Sequence, residues 1–463
     1  MKLILAADVG STFTKLTAVD IEGRKIIASA KAFTTIGHNV MDGYQSALSA
    51  LEAQCGRLDY QKRVASSSAA GGLKMVAIGL VPDLTVQAAR LAAANAGAKI
   101  MKTYAFELST EEITEINALR PDMILLSGGA DGGNKEVIIA NARSLAASDL
   151  ACPLVVAGNK SAADEIGKIL RAYAGEALFC PNVMPEVNKL NIGPARKAIG
   201  DLFVKNIISA KGLTELQSRL DGEIIPTPRA VFLAAELLSR GLNKMPGLGE
   251  LMIFDVGGAT TDVCSMSDGA PSKANVFRRG LAPPFAQRTV EGDLGLRYSL
   301  ASLAEAGDLE SLAESLACST ADLGQWLESC RLDPGALPPA GSLQKKMDEA
   351  LAALAVKISM ERHCGSVETV FTAQGPGLVQ TGKDLSRVAR LIGTGGPIIN
   401  SSDPAAVLKG AVYGPEDLNL LKPLSPELLV DRKYILSALG SLSRFEPEAA
   451  LSIMLDELPK GTP

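Results

Sequence analysis

Histidine is almost missing from this chain: only His38 and His363 occur in 463 residues. A histidine-based metal centre therefore has no basis, and each reads as a solvated or core residue. The seven cysteines, at positions 55, 152, 180, 264, 318, 330 and 364, are odd in number and contain no C-x-x-C. That excludes a disulfide framework and a zinc site. No stretch approaches the ~20 apolar residues of a membrane helix. The opening MKLILAADVG meets Asp8 before a signal-peptide apolar region is complete. Clustered Lys and Arg are absent too, and the net charge is −5. This argues against nucleic acid as the main partner, since a phosphate backbone demands basic clusters. These absences predict a cytoplasmic, reduced protein with neither membrane nor nucleic acid as partner.

What is present is a repeat. Residues 7–16 read ADVGSTFTKL and residues 254–263 read FDVGGATTDV. Each is an apolar strand ending in aspartate, a glycine-rich turn, then a hydroxyl-rich strand. KLILAAD, FTKLTAVD and RKIIASAKA predict a three-stranded antiparallel meander; ELMIFD, TTDVCSMS and SKANVFRR predict a second. A second pair of similar pieces, PTPRAVFLAAELL (226–238) and DPAAVLKGAVYG (403–414), reads as two small-residue helices. Both pairs indicate a duplicated lobe.

Between them, MVAIGL, AKIMKTYAF, DMILLSGG, PLVVAG and EALFCP read as strands alternating with helical segments, so residues 74–182 imply a parallel βα layer. Its loop LLSGGADGGN (125–134) is a glycine-rich strand-to-helix junction, which either binds an anion or simply turns the chain. Residues 289–365 read as helical, broken at LDPGALPPAG; VETVFTAQG reads as a strand and the last ~50 residues as a helical tail. The organisation expected is 1–73 as a first lobe, 74–225 as an inserted α/β layer, and 226–288 as a connecting helix with the second meander. Residues 289–365 then form a helical subdomain, and 366–463 the remainder.

Asp8 and Asp255 each end a strand just before a turn rich in backbone N–H groups. A carboxylate there would repel a bare phosphate, but it suits a hydrated Mg²⁺, which uses few protein carboxylates. The turns Gly10-Ser11-Thr12 and Gly257-Gly258-Ala259-Thr260 can then wrap phosphate oxygens with N–H and hydroxyl donors. Lys15 adds a cation or else a surface ion pair. Two such turns facing across a cleft would clamp one polyphosphate. A third element, LIGTGGPIIN (391–400), has Gly393, Gly395 and Gly396 where backbone could approach a flat nucleoside.

Together these motifs resemble the actin, sugar-kinase and seventy-kilodalton heat-shock chaperone superfamily. DVGSTFTK is similar to its first phosphate motif, FDVGGATTDV to its second, LIGTGGPI to its adenosine motif, and the two Ala-rich helices to its connecting helices. The resemblance implies an α/β fold: two duplicated ribonuclease-H-like lobes of the actin-like ATPase type, with residues 74–182 as an insertion. Within the superfamily, ASSSAAGGLKM (65–75), NVMPEVNKLNIGPAR, RTVEGDLGLR and GKDLSRVARLIGTGG resemble the glutamate mutase-associated MutL family, unrelated to the mismatch-repair protein of that name. That resemblance implies binding of ATP or ADP with Mg²⁺, slow hydrolysis, and partnership with an adenosylcobalamin-dependent mutase as a reactivating chaperone. It leaves an oligomer open. Asp8 and Asp255 would hold hydrated Mg²⁺. Asp262, seven positions after Asp255 as in the chaperones' second motif, could orient water or a second cation. Glu291 and Asp293 in VEGDLG are further acid–base candidates, or else part of a solvated loop.

Three rivals share the fold. A small-molecule kinase needs an acceptor pocket with a base near the γ-phosphate, and no residue nominates itself. An ATP-driven activator of 2-hydroxyacyl-CoA dehydratases would carry cluster-binding cysteines in glycine-rich signatures; Cys264 reads instead as a small buried strand residue. An actin-like filament would have to stack around the inserted layer and the helical tail.

Overall fold

LILAADV is buried along its whole length and forms strand β1 (Leu3–Val9). Gly10 turns the chain into β2 (Phe13–Asp20), which continues to β3 (Lys25–Phe33) and helix α1 (Val40–Cys55). The Asn39 side chain accepts from the Met41 N–H to start α1, and Gly56, at φ 75°, ends it. Strand β4 (Lys62–Ser67) follows. The chain then leaves this sheet for β5 (Leu73–Gly79), α2 (Gln87–Asn95), β6 (Ala98–Ala105), α3 (Thr110–Leu119), β7 (Met123–Leu126) and α4 (Glu136–Ala146). Next come β8 (Leu154–Val156), α5 (Ala163–Ile169), β9 (Ala177–Phe179), α6 (Ile192–Ile207) and α7 (Leu213–Ser218). It returns at β10 (Ile225–Pro226) and enters α8 (Thr227–Arg240). This is a computed structural model, and it describes residues 2–10, 13–34, 39–68, 73–207, 213–372 and 375–459.

Two compact units divide the chain: residues 1–231 with 280–282, and residues 232–279 with 283–463. The first unit contains two sheets. One has the order β10-β4-β1-β2-β3, antiparallel from β1 to β3 and parallel from β1 through β4 to β10. The other, β6-β5-β7-β8-β9, is wholly parallel. All five strands expected of the inserted layer are present. Each face of that layer is covered by its own apolar cluster, as a parallel sheet requires.

The second unit opens with a short ribbon, β11 (Gly241–Leu242) and β12 (Met245–Pro246). Then come β13 (Leu251–Val256), β14 (Thr261–Met266), β15 (Val276–Arg279) and β16 (Ala286–Glu291). Helices α9 (Leu300–Ala306), α10 (Leu309–Ser315), α11 (Thr320–Leu332) and α12 (Leu343–His363) follow. The rest is β17 (Ser366–Thr372), β18 (Gly375–Thr381), β19 (Arg390–Thr394), α13 (Gly396–Ile399), α14 (Pro404–Leu408), β20 (Glu427–Val430), α15 (Leu436–Leu442) and α16 (Pro447–Glu457). Its main sheet runs β16-β14-β13-β19-β20. Strand for strand this is the β3-β2-β1-β4-β10 sheet again, with the same parallel and antiparallel partners. The fold is thus two duplicated lobes of the ribonuclease-H-like, actin-like ATPase type, with a parallel layer inserted in the first.

The duplication corrects three expectations. SKANVFRR does not supply the third strand of the second meander: β15 joins β18 and β17 in a separate sheet, and Ala286–Glu291 takes the place instead. The helical stretch expected from residue 289 therefore begins later, at Leu300. The helix at 403–414 is not the counterpart of α8. It lies between β19 and β20, whereas α8 follows β10, so its topological counterpart is α15, after β20.

Candidate functional site

In the first lobe Asp8 stands at the carboxyl end of β1, only 4% exposed. Its Oδ1 accepts from Ser66 Oγ at 3.1 Å and from Thr227 Oγ1 at 2.6 Å. Ser66 is its parallel neighbour on β4, and Thr227 opens α8 just beyond β10. One carboxylate therefore ties three elements together. Gly10 N–H donates to Phe13 O at 3.0 Å, and a Cβ on Gly10 would lie 2.7 Å from that oxygen, so the turn needs glycine there. Lys15 pairs in register with Asp8. Ser11 and Thr12, expected in this turn, and His38 lie outside the described residues.

The second lobe repeats the turn. Gly257 N–H donates to Thr260 O at 2.9 Å, the same bond in the same place. Leu296 N–H donates to Gly257 O at 3.1 Å, Arg297 N–H and Tyr298 N–H donate to Gly258 O at 2.8 Å each, and Ser299 Oγ donates to Ala259 O at 2.8 Å. With these carbonyls engaged, N–H groups are what the turn has left to offer an anion. Asp255 is half-buried at its head.

Asp262 pairs in register with Asp255, where the first lobe has Lys15 opposite Asp8. It is not a free carboxylate. One oxygen is held by Arg288, an almost fully buried residue of β16, and the other accepts from Thr260 Oγ1 at 3.2 Å. With its proton on Asp262, the Thr260 oxygen is left as an acceptor toward any other group.

The glycine-rich loop lies against this turn within the same unit. Gly395 adopts φ 89°, and a Cβ there would sit 2.2 Å from Val256 O and 2.7 Å from Asp255 Oδ1. A Cβ on Gly393 would lie 2.7 Å from Ile398 Cγ2, while at Gly396 it would meet open space. Thr394, the register partner of Asp255, donates to Asp431 at 3.1 Å. Asp431 in turn accepts from the N–H groups of Ile435 and Leu436 at the start of α15. The structure thus gathers Asp255, Gly257, Gly258, Thr260, Asp262, Gly393, Gly395 and Gly396 in one lobe, and Asp8, Gly10 and Lys15 in the other.

Sequence reasoning missed Ser66, Thr227, Arg288, Thr394 and Asp431. Glu291 and Asp293 are not free acids either. Glu291 is a buried strand residue bonded to Arg362 at 2.8 Å, and the same guanidinium grips both oxygens of Asp293. Those bonds, Asp293 first, raise the Arg362 pKa further and hold it charged. Burial pushes the Cys264 thiol up to about 12, in keeping with a packed strand residue. His363 is also internal, bonded to Ser265 and Thr289 at 2.8 Å each. In the 125–134 loop, Asn134 accepts from Val137 N–H in the first turn of α4, while Asn159, from beyond β8, accepts from Gly132 N–H and donates to the carbonyls of Gly133 and Asn134, so the loop's backbone is held by a side chain from outside it. Among the described residues no three His, Cys, Asp or Glu side chains gather to hold a metal. The donor set at Asp255 fits a cation that brings its own water and phosphate ligands, as Mg²⁺ does.

A family model described as MutL protein matches residues 4–458. The chain belongs to the MutL protein family. "Protein MutL" of Clostridium tetanomorphum is 45% identical over 465 residues, covering 99% of this chain and all of that one. Solved structures are similar only loosely. Component A of (R)-2-hydroxyglutaryl-CoA dehydratase from Acidaminococcus fermentans has a TM-score of 0.31 at 10% identity, covering 97% of this chain and 100% of that one. A ligand-bound xylulose kinase from Lactobacillus acidophilus scores 0.34 at 10% identity, covering 98% and 90%. No helix among the described residues of this family member is long and apolar enough to cross a membrane.

Proposed function

We propose that this protein is a slow Mg-ATPase that serves as a reactivating chaperone for an adenosylcobalamin-dependent mutase such as glutamate mutase. The observation that carries the nucleotide part is the duplicated strand-end aspartate with its turn: Asp8 before the Gly10–Phe13 bond, Asp255 before the Gly257–Thr260 bond. The family membership supports the mutase part.

In this reading the backbone N–H groups of the turns meet phosphate oxygens, Gly395 lets the glycine-rich loop close against Val256 and Asp255, and the open space at Gly396 is where a nucleoside would lie. Mg²⁺ bound with the nucleotide would neutralise phosphate charge and be held through water by Asp8 and Asp255. Asp262, fixed by Arg288 and accepting from Thr260, would orient water or a second cation beside that Mg²⁺. Because Asp8 also accepts from Thr227, a change in what Asp8 binds is felt at the first residue of α8. ATP would shift a two-state equilibrium to the extent that it binds one state better, and the mutase would read that state.

The deciding assay is phosphate release from Mg-ATP without acceptor, with and without an inactivated adenosylcobalamin mutase, using Asp8→Ala and Asp255→Ala as controls. Slow release that the mutase accelerates and either substitution abolishes is expected. Release indifferent to the mutase overturns the chaperone reading and directs attention to a kinase acceptor. Release that survives both substitutions overturns the nucleotide site.

A further inference from the structure

A cavity of about 460 Å³ opens in the first lobe, where α1, the loop after it and the first sheet meet. It is within the size range of small-molecule pockets, about 300–1,000 Å³. Its lining carries two cations, Arg57 and Arg63, and two anions, Glu52 and Asp59. Among the described residues none of these four makes an ion pair. The Arg63 guanidinium is steadied instead by the Tyr60 ring, 5.9 Å from its centroid. Leu48 and Leu58 supply apolar wall between the charges.

A cavity of balanced, mutually unpaired charges matches a ligand that carries both signs itself. A simple anion would meet Glu52 and Asp59 as repulsion, and a simple amine would meet the arginines. We propose that this cavity binds a free α-amino acid with an aliphatic side chain, its carboxylate on Arg57 and Arg63, its ammonium on Glu52 and Asp59, and its side chain against Leu48 and Leu58. Arg63 suits the carboxylate because a guanidinium can present a two-pronged donor fork. The site is separate from the nucleotide turns yet shares their strands. Leu5, in the cavity wall, and Arg63 are register partners on β1 and β4, and three residues further along the same strands stand Asp8 and Ser66. At about 3.3 Å per residue that is roughly 10 Å along each strand. An occupant that moves β4 against β1 would therefore act on the hydrogen bond between Ser66 and Asp8.

The test uses the full-length protein and ligand-observed NMR titration with L-leucine, against isocaproate, which lacks the ammonium, and isopentylamine, which lacks the carboxylate. Saturable L-leucine binding at least tenfold tighter than either analogue is expected. Arg57→Gln and Asp59→Asn, both at exposed positions, should each weaken it about tenfold with unchanged melting temperature. Isocaproate binding as tightly as L-leucine would overturn the zwitterion assignment. No saturable binding up to 10 mM (about the weakest affinity of interest), or binding indifferent to both substitutions, would overturn the site. ATP hydrolysis is not read in this experiment, so its failure leaves the nucleotide reading standing, and the reverse holds too.

Discussion

The two lobes solve one problem with opposite means. At equivalent positions across from the strand-end aspartate, the first lobe places Lys15 and the second places Asp262. Asp8 is buried and satisfied by neutral hydroxyls from Ser66 and Thr227. Asp255 is more open, and its neighbouring carboxylate is compensated from a third strand by Arg288. The first lobe thus resembles a fixed clasp and the second a charged rim whose added carboxylate is neutralised by Arg288. The two lobes share the backbone of the turn, down to the glycine N–H bond, while the residues opposite the aspartate differ. Both copies keep the Asp-Val-Gly run and the backbone of its turn; what differs is the set of side chains around the aspartate.

The sharpest way to break this comparison is to remove the compensating charge. Arg288→Met should destabilise the protein by about 3–5 kcal/mol in chemical denaturation, because it strands a carboxylate in a nearly buried place. Adding Asp262→Asn should recover a large part. If the double variant is no better than the single, the pair is not what stabilises the rim.

On the other side, Thr227→Val removes the 2.6 Å bond to Asp8 and should cost about 2 kcal/mol, as for a hydrogen bond to a charged group. An unchanged denaturation midpoint would mean that Asp8 does not depend on α8.

A third difference lies further along the equivalent strands. Ser265 of β14 bonds the buried His363, where β2 carries Ala18. Burial first, and the nearby Lys383 charge second, push the His363 pKa down to about 3. The unfolded chain takes up that proton near the ordinary value of about 6.5. The folded state is therefore at full advantage above about pH 6.5 and loses it as pH falls toward about 3, by up to ~1.4 kcal/mol per pH unit. His363→Asn should flatten that part of the stability-versus-pH curve; an unchanged slope would contradict it. The smallest expected effect compares the glycines. Gly10→Ala drives a Cβ to 2.7 Å from a carbonyl oxygen and Gly257→Ala to 3.2 Å. The first should cost about 1–2 kcal/mol and the second under ~1 kcal/mol. Equal losses would show that crowding of the added Cβ does not set the cost at these turns.

What the sequence disclosed follows from distance along the chain. The strand–turn–strand units and the βα layer were legible because each is a local pattern, with glycine and aspartate marking turns and apolar runs marking strands. Ser66, Thr227, Thr394 and Asp431 were not. Each reaches its partner through parallel pairing of strands far apart in the chain, and serine or threonine at a strand end has no local signature. β20 is four residues, ELLV, in a proline-rich stretch. β15 looked like a meander strand because its composition says strand without saying which sheet. Arg288 lies in a plain AQRTVE strand, and only its register beside Cys264 brings it to Asp262.

The placement of the inserted layer has a consequence for how the chain is born. Asp8 and Thr227 are 219 residues apart. At about 5–20 residues per second, a ribosome needs roughly 10–45 s to deliver the second after the first. For most of that interval, from the synthesis of β4 onward, the outer edge of β4 waits without β10, while the layer that begins at β5 emerges and can fold on its own local contacts. The clasp at Asp8 therefore closes late in synthesis, and the nascent first lobe carries an open strand edge until it does.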